Sequence, residues 1–434
     1  MRKKTYSCED LQGSVYFAPN VLRHCCQRFF VKGKMQGDVE IMKIKSDNDL
    51  DSQKIFNEKR KIINNLNKKV PTPCDGCPRI KFRHWENEKE LKIKKISMEA
   101  HSNCNARCSY CSEMFYGGLN PNYDLEKMLD KFRKEKAFEE KVAITWGGGE
   151  PVLLKNFDTI FKKFVESNYP KFNDIRVYSN SITYNHLVHR YLDDGKIILT
   201  TSTDAGTQKT FEKVRGVKKG FLSIFENLNK YNKNKSGNII IKYILTSENF
   251  EKDELDEFIN LLKKYELTDC NFEISTDYKF EKLDIEKSLS IIYFYNALRN
   301  AGAEFIHFDD HVRKRLYNTI RKNIDSIDID NNNSFENLRK FFNQEIIVWG
   351  TGAYANEIVQ NSFLFERSKV AFFVDNQVRT KENLFLNHNI KKPDTLLNTN
   401  NPILIASSTY WKEIYNKILK LGINKNRVIN TLVV

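Results

Sequence analysis

The sequence predicts an α/β protein built from parallel βα units, which either close into a barrel or form a doubly wound sheet. Two observations support this prediction. From about residue 92, short β-branched runs alternate strictly with longer amphipathic runs. After a polar segment, a second and shorter series of the same kind begins near residue 340. The 434 residues are enough for two or three domains of ordinary size.

Six segments in the main α/β region have the pattern of strands, and the residues between them have the apolar spacing of helices. The predicted strands are 93–99, 142–146, 175–178, 197–200, 239–245 and 271–274. Phe157, Ile160, Phe161 and Phe164 form one apolar stripe of a helix between two of them. We therefore place an α/β domain at residues 92–322.

The polar residues that follow, rich in Asp and Asn, predict an interdomain linker at 323–339. Residues 340–434 then form a further α/β unit. Its predicted strands are 345–349, 370–375, 403–406 and a terminal strand that ends at Val434.

Composition limits the classes of protein to which the chain can belong. The formal charge of +14 is compatible with polyanionic partners such as nucleic acid, nucleotide-sugars or phosphates, or with a solvated surface on which basic and acidic residues are mixed. We favour the solvated surface. No segment has eighteen consecutive apolar residues, and the basic start is not followed by an apolar signal region. We expect a cytoplasmic protein without a membrane span.

Cysteine usage points to metal or redox chemistry. Eight of the nine cysteines lie within the first 111 residues, and a reducing cytoplasm disfavours disulfides. Cys104, Cys108 and Cys111 have C-x3-C-x2-C spacing directly after the first predicted strand, where active sites of parallel barrels form. Three thiolates hold three irons of a cubane cluster and leave one iron open. A structural zinc site would need a fourth ligand, so we favour iron and sulfur.

Together with a second motif, this triplet resembles the radical S-adenosylmethionine (radical SAM) superfamily. Gly148, Gly149, Glu150 and Pro151 follow the second predicted strand, like the G-G-E-P segment of that family. The resemblance covers about residues 92–310. It implies a partial (βα)6 TIM-like barrel, a four-iron, four-sulfur cluster and bound S-adenosylmethionine, whose methionine amino group the G-G-E-P segment would bind.

The resemblance also extends to single polar positions in later βα loops. It implies that Tyr110 packs near the adenine, that Arg215 pairs with the methionine carboxylate, and that four further residues contact ribose and carboxylate: Ser179, Asn180, Ser202 and Asp204. The family chemistry is reductive cleavage of S-adenosylmethionine to a 5′-deoxyadenosyl radical, which abstracts a hydrogen from the substrate. An external electron donor such as flavodoxin or ferredoxin is implied.

The remaining N-terminal cysteines predict a second metal centre in a cysteine-rich segment at 1–91. Cys74 and Cys77 form a C-x2-C knuckle, and remote ligands come from Cys8, Cys25 and Cys26, of which one in the Cys25–Cys26 pair is spare. The arrangement resembles the auxiliary-cluster module called SPASM, although that module normally follows the barrel. We favour a cluster over zinc. A fully ligated cluster suits electron transfer or shaping of the substrate pocket, whereas an open iron would allow substrate anchoring.

A glycine loop in the C-terminal unit resembles a Rossmann fingerprint. Gly350 and Gly352 follow a predicted strand and precede a helix, and Asp375 ends the next strand. Amide groups at the helix start suit a phosphate, and Asp375 suits a ribose hydroxyl. Similar short Rossmann-like domains end carbohydrate-tailoring enzymes. The domain therefore predicts either nucleotide-sugar recognition or structural docking.

Three functions remain open at this point. The first is a radical SAM enzyme acting on a carbohydrate or nucleotide-linked substrate, suggested by the C-terminal unit. The second is a radical SAM/SPASM enzyme that modifies a peptide, suggested by the auxiliary cysteines. The third, which the two radical SAM motifs disfavour, is a zinc-stabilised module that binds nucleic acid.

Overall fold

The computed structural model describes residues 4–86, 88–111, 118–280, 282–327, 335–376, 384–407 and 410–429. The chain forms two compact units. Unit 1 consists of Met1–Lys242, Lys264–Cys270 and Asp277–Glu281, and unit 2 of Tyr243–Lys263, Asn271–Thr276 and Lys282–Val434.

Unit 1 is a mixed α/β structure. Its strands are β1 (Thr5–Ser7), β2 (Ser14–Phe17), β3 (Val21–Arg23), β4 (Arg28–Val31), β5 (Lys34–Gly37), β6 (Glu40–Lys43), β7 (Lys81–Arg83), β8 (Ile93–Met98), β9 (Phe138–Trp146), β10 (Lys171–Tyr178), β11 (Ile198–Ser202) and the first part of β12 (Ile239–Leu245). Its helices are α1 (Glu9–Gly13), α2 (Ser52–Lys68), α3 (Leu125–Lys134), α4 (Phe157–Val165), α5 (His186–Asp193), α6 (Gln208–Arg215) and α7 (Phe221–Tyr231).

A large parallel sheet organises unit 1. Its strands follow the order β12-β11-β10-β9-β8-β2-β3-β6, and every pair from β12 to β2 is parallel. The strands β8 to β12 are neighbours in the order of the sequence, as expected for a partial radical SAM barrel. Strands β8 to β12 overlap the segments predicted from the sequence.

The N-terminal residues extend this sheet, which the sequence analysis did not predict. β2 pairs in parallel with β8, and β3 and β6 continue the sheet in antiparallel fashion. All four residues of β2 are buried. The segment at 1–91 therefore contributes both cysteines and strands to the unit that carries the cysteine triplet.

Aromatic packing forms much of the core of unit 1. Trp146, at the end of β9, has its ring centroid 5.3, 5.4 and 5.3 Å from those of Phe157, Phe161 and Phe164 on α4. All four side chains are buried. Burial of a side chain of this size stabilises a fold by roughly 1.5–3 kcal/mol, so the apolar stripe recognised in the sequence holds α4 against the sheet.

Unit 2 begins with the remainder of β12 and ends with a small separate sheet. Its helices are α8 (Lys252–Lys264, whose last residue belongs to unit 1), α9 (Ile285–Asn300), α10 (Asp310–Lys322), α11 (Ile324–Ile327), α12 (Glu336–Arg339), α13 (Ala353–Gln360), α14 (Phe363–Glu366) and α15 (Trp411–Lys420). Its strands are β13 (Asn271–Thr276), β14 (Ile306–Phe308), β15 (Glu345–Trp349), β16 (Lys369–Val374), β17 (Leu384–Phe385), β18 (His388–Lys391) and β19 (Ile403–Ile405).

The C-terminal sheet has the strand order β17-β18-β16-β15-β19, and all its pairs except β17–β18 are parallel. The chain leaves β15 toward β16 on one side and later returns to β19 on the other. The three internal strands predicted for this region are present, whereas a terminal strand ending at Val434 lies outside the described residues. The predicted linker at 323–339 contains the short helices α11 and α12 in its described parts.

Candidate functional site

The cysteine triplet lies in the loop that follows β8. Cys104 is exposed, and Cys108 and Cys111 are partly buried. The Cys111 N–H donates to the Cys108 carbonyl at 2.9 Å, and the Ala106 N–H donates to the Cys104 Sγ at 3.4 Å. Residues 112–117 are outside the described part of the chain.

One side of this loop is fixed by the end of α6. The N–H groups of Arg107 and Ser109 donate to the carbonyls of Arg215 and Val214, both at 2.8 Å. Gly216 has a φ of +62°, and a Cβ there would lie 2.4 Å from the Arg107 carbonyl oxygen. Because only glycine tolerates this approach, the segment that ends α6 is matched to the cysteine loop.

The glycine turn after β9 supports the other side. The N–H groups of Gly149 and Glu150 donate to the carbonyls of His101 at 2.9 Å and Asn103 at 2.7 Å. A Cβ on Gly149 would lie 2.1 Å from the Asn103 carbonyl oxygen. Gly148 has a φ of +102°, and a Cβ there would lie 2.8 Å from the His101 carbonyl oxygen and 2.9 Å from the Glu99 Cα. The glycines therefore have an immediate structural role, because they let this turn pack on the residues that lead into the cysteine loop.

Glu150 is buried, with 1% exposure, and its carboxylate is held by the loop after β10. It accepts hydrogen bonds from the Ser179 hydroxyl at 2.8 Å and from the Asn180 N–H at 2.7 Å. Burial raises the pKa of Glu150 to about 7, although these hydrogen bonds act to lower it. Pro151 follows as the first residue of a short 3-10 helix.

Asn180 links this carboxylate to the cysteines. Its side-chain amide donates to the Asn105 Oδ1 at 2.6 Å and lies 3.8 Å from the Cys104 Sγ. Ser202 is partly buried at the end of β11. Cys104, Glu150, Ser179 and Asn180 are thus gathered around one point of the fold, as their common placement after parallel strands predicts.

Tyr110, Asp204 and Arg215 form a polar triad in which Asp204 and Arg215 are buried and Tyr110 is partly buried. The Arg215 Nη1 donates to the Asp204 Oδ2 at 2.8 Å and to the Tyr110 hydroxyl at 2.6 Å, and that hydroxyl donates to the same Asp204 oxygen at 2.5 Å. The side chains of Arg215 and Asp204 are 3% and 0% exposed. Burial acts to lower the pKa of Arg215, but Cys108, Tyr110 and Asp204 raise it well above its ordinary value.

Sequence reasoning did not find this ion pair, because no local pattern joins Asp204 to a residue on α6. The structure pairs the Arg215 guanidinium with Asp204, whereas the resemblance implied a methionine carboxylate. The roles of Tyr110, Asp204 and Arg215 toward a cofactor stay predictions.

The N-terminal cysteines form a second cluster. Cys8, Cys25, Cys74 and Cys77 line one small cavity of about 20 Å³ whose surface is mostly apolar. Cys26 is not among the described residues that line this cavity. Burial raises the pKa of its thiol, and the Glu99 carboxylate is the charged group that raises this pKa most. The structure therefore distinguishes the two adjacent cysteines: Cys25 faces the other three and Cys26 does not.

Backbone N–H groups point at three of the four thiols. The Leu11 N–H lies 3.4 Å from the Cys8 Sγ. Backbone hydrogen bonds from Gln27 and Val39 to Cys25 act to lower its thiol pKa, which burial raises. Those from Arg79 and Ile80 act in the same way on Cys77. N–H donors stabilise thiolates, so the donor set suits metal-bound sulfur.

Polar residues that sequence analysis missed also line the four-thiol cavity, namely Asp10, His24, Gln27 and Arg79, and the buried Lys59 donates to the Asp10 carbonyl. His24 is buried, which lowers the pKa of its imidazole, and the nearby Lys59 lowers it further. Lys59 lies on the buried stripe of α2, between Ile55 and Ile63. The i, i+4 spacing of these three residues is the signal in the sequence that identifies Lys59 as a buried lysine.

In the described part of the chain, no three His, Cys, Asp or Glu side chains are gathered as ligands of a single metal ion. Thiolates that share one zinc ion lie within about 4 Å of each other, since each Zn–S bond is about 2.3 Å long. The thiolates of a cubane cluster bind different irons and are spread more widely.

The C-terminal glycine loop lies at the ends of β15 and β16. The Gly350 N–H donates to the Val374 carbonyl at 2.8 Å, and the Thr351 hydroxyl donates to the Asp375 Oδ2 at 2.6 Å. Gly352 precedes α13, and a Cβ there would meet no atom within 4 Å. Gly350, Gly352 and Asp375 are therefore close together, with open space beside Gly352.

Two family models match the sequence. Residues 98–262 match the model described as Radical SAM superfamily. This range contains the cysteine triplet and the Gly148–Pro151 segment. The match supports an enzyme of that superfamily. Residues 342–429 match a model described as C2185-like, N-terminal. This description differs from the Rossmann-like one expected, so that assignment stays a prediction.

Three solved structures are among those similar to the chain. One is anSMEcpe with bound AdoMet, with 15% identity, a TM-score of 0.38, and coverage of 54% of this chain and 66% of that one. Streptococcus suis SuiB bound to precursor peptide SuiA has 12% identity, a TM-score of 0.39, and coverage of 62% and 56%. A radical SAM methyltransferase from Sphaerobacter thermophilus has 15% identity, a TM-score of 0.36, and coverage of 54% and 70%.

The chain thus spans less than two thirds of the length of the first two of these proteins. No curated protein matches it in sequence. Among the residues that the structure describes, no helix combines the length and apolar composition needed to cross a membrane.

Proposed function

We propose that the chain is a radical SAM enzyme that acts on a carbohydrate or nucleotide-linked substrate. In this proposal Cys104, Cys108 and Cys111 hold a four-iron, four-sulfur cluster, and the Gly148–Pro151 turn receives the amino group of S-adenosylmethionine. When bound, these groups supply the 5′-deoxyadenosyl radical that abstracts a hydrogen from the substrate. The chain's residues position the reactants and exclude water.

The observation that carries this proposal is the double attachment of the cysteine loop. The Gly149–Glu150 turn binds the residues before Cys104, and the Arg215–Gly216 end of α6 binds the residues between the cysteines. Glu150 has a buried carboxylate that suits an ammonium group, because a charge-assisted hydrogen bond in a dry site is strong. The motifs recognised in the sequence thus contribute to one site.

The direct test uses anaerobically reconstituted protein, S-adenosylmethionine and dithionite. We expect 5′-deoxyadenosine and methionine in equal amounts. A preparation with a full iron complement that forms neither compound would contradict the proposed chemistry. Replacing dithionite by reduced flavodoxin or ferredoxin tests the class of electron donor.

The C-terminal unit supports the carbohydrate or nucleotide-linked substrate. The crevice beside β15, where the chain switches sides of the sheet, is the usual ligand position in open parallel sheets. Gly350 and Gly352 keep side chains away from this edge, and Asp375 provides an acceptor for a sugar hydroxyl. We propose that this edge binds the nucleotide part of the substrate in a Rossmann-like manner.

Gly352→Leu should weaken nucleotide-sugar binding to the full-length protein at least tenfold. The substituted side chain would occupy open space, so it should block the ligand without disturbing the fold. Calorimetric titration with UDP-glucose, and with UMP and glucose separately, measures the effect. Lys420→Ala, an exposed change on α15, should leave the affinity unchanged. Absence of binding by the unmodified protein would leave the C-terminal unit as a docking domain.

We also propose an auxiliary iron–sulfur cluster on Cys8, Cys25, Cys74 and Cys77. The shared cavity and the N–H groups directed at the thiols support metal-bound thiolates there, and we favour a cluster over zinc. Four protein thiolates leave no iron open, which suits electron transfer. This site favours the second candidate function, a peptide-modifying enzyme of SPASM type, and a short precursor gene beside this one would support it.

Cys25→Ala should remove about half of the iron, from about eight atoms per chain to about four, because two four-iron sites are proposed. Cys26→Ala is the matched control, since this neighbouring cysteine does not line the cavity, and it should retain the full iron content. Iron and sulfide analysis after anaerobic reconstitution provides the measurement. A wild-type value near four irons with about one zinc would refute the auxiliary cluster and support the zinc alternative.

A further inference from the structure

Lys59 is a buried lysine without a carboxylate partner among the residues that the structure describes. Its side chain is 2% exposed, and its Nζ donates to two main-chain carbonyls, those of Asp10 at 3.0 Å and Ser14 at 2.6 Å. Burial lowers the pKa of Lys59 to about 8, and the nearby Asp10, Cys8 and Cys25 act to raise it. Two of these three groups are proposed cluster ligands.

A buried ammonium group is costly unless a negative charge compensates it. At this position an aliphatic residue would continue the stripe of Ile55 and Ile63, which pack in the core. The nearby Asp10 carboxylate compensates part of this charge, and an anion held by Cys8 and Cys25 would compensate it further.

His24 gives an independent observation at the same cavity. Its side chain is 1% exposed, and neither ring nitrogen has a hydrogen-bond partner among the residues that the structure describes. An imidazole carries at least one N–H donor in either tautomer. A buried donor without an acceptor is unfavourable, and a sulfur atom bound in this cavity would supply the acceptor that His24 lacks among the described residues.

We propose that Lys59 is the counter-charge of the auxiliary cluster and that His24 donates a hydrogen bond to one of its sulfur atoms. The inference rests on the proposed auxiliary cluster, which with four thiolates is a net anion and offers sulfur acceptors. Both groups stabilise the reduced, more negative form. They therefore raise the reduction potential of the cluster and suit it to accept an electron. The apolar lining of the cavity strengthens their effect.

The experiment measures the midpoint potential of the auxiliary cluster alone. A background protein with Cys104→Ala, Cys108→Ala and Cys111→Ala retains only this cluster, and a redox titration followed by electron paramagnetic resonance gives its potential. Lys59→Met should lower the ratio of reduced to oxidised cluster at a fixed potential by tenfold or more, a shift of about 59 mV for one electron. His24→Phe, which keeps an aromatic ring without the N–H, should shift it in the same direction.

Two variants provide controls. Lys59→Arg keeps the charge and should restore a potential near that of the background protein. Lys61→Met removes a lysine from the same helix whose side chain is 68% exposed, and it should leave the potential unchanged. A Lys59→Met protein with full iron content and an unchanged potential would overturn the inference. A background protein that binds no cluster would instead overturn the proposed auxiliary cluster itself.

Thermal unfolding gives a second readout that does not need a potential. Lys59→Met should reduce the gain in Tm between the apo-protein and the reconstituted protein, because the attraction between Lys59 and the cluster is lost. An unchanged gain in Tm in Lys59→Met would contradict the proposed counter-charge role.

Discussion

Cys108→Ala should abolish formation of 5′-deoxyadenosine from S-adenosylmethionine. A loop with only Cys104 and Cys111 cannot hold three irons of a cubane and leave the fourth open for the cofactor. The loss should be complete within detection, because no other described part of the chain offers the C-x3-C-x2-C arrangement. Product analysis by liquid chromatography after anaerobic reconstitution provides the measurement.

Cys270→Ala is the control for this change. Cys270 is a buried cysteine with 2% exposure, outside both groups of proposed ligands, so its removal deletes a thiol without touching a cluster. It should retain full cleavage activity and full iron content. Cys108→Ala should in addition keep the auxiliary irons, so about four per chain should remain. Retained cleavage by Cys108→Ala would contradict the assignment of the cysteine triplet.

The features that sequence reasoning recovered are those set by short-range patterns. Cys104, Cys108, Cys111 and the Gly148–Pro151 motif, recognised by their spacing, lie within residues 98–262, which match the Radical SAM superfamily model. The strands β8 to β12 follow from β-branched runs. Fixed spacings and periodic burial can be recognised directly in the sequence.

The features that sequence reasoning missed depend on contacts between residues far apart in the chain. The strand β2 is only four residues long, and its pairing with β8 joins residues about eighty positions apart. The choice of Cys25 over Cys26 depends on which side chain faces Cys74 and Cys77, and adjacent residues with identical chemistry give no indication of this. The Asp204–Arg215 pair likewise becomes visible only when the end of β11 and the end of α6 are placed together.

Arg215→Met should destabilise the chain by about 3–5 kcal/mol, the range measured when one partner of a buried ion pair is removed. The change leaves the Asp204 carboxylate, which is 0% exposed, without its cation. Chemical unfolding of the apo-protein provides the measurement. Arg176→Met is the matched control, because it breaks a pair in which Arg176 and Asp174 are 37% and 42% exposed, and it should cost less than about 1 kcal/mol.

The double variant Asp204→Asn/Arg215→Met separates the ion pair from other effects of the substitution. With the carboxylate removed as well, no buried charge is left unpaired, so the double variant should be more stable than Arg215→Met alone. A double variant no more stable than the single one would show that the lost packing of the arginine, not the orphaned charge, causes the effect.

The same variant also tests the role that the family resemblance implied for Arg215. If the guanidinium bound the methionine carboxylate and contributed little to the fold, Arg215→Met would keep its stability and raise the KM for S-adenosylmethionine. We expect the loss of stability to be the larger effect and the rise in KM the smaller one, because the guanidinium is 3% exposed and already binds Asp204 and Tyr110. The carbonyl of Arg215 also holds the Arg107 N–H of the cysteine loop. Loss of the pair should therefore lower the iron retained at Cys104, Cys108 and Cys111, even at saturating S-adenosylmethionine.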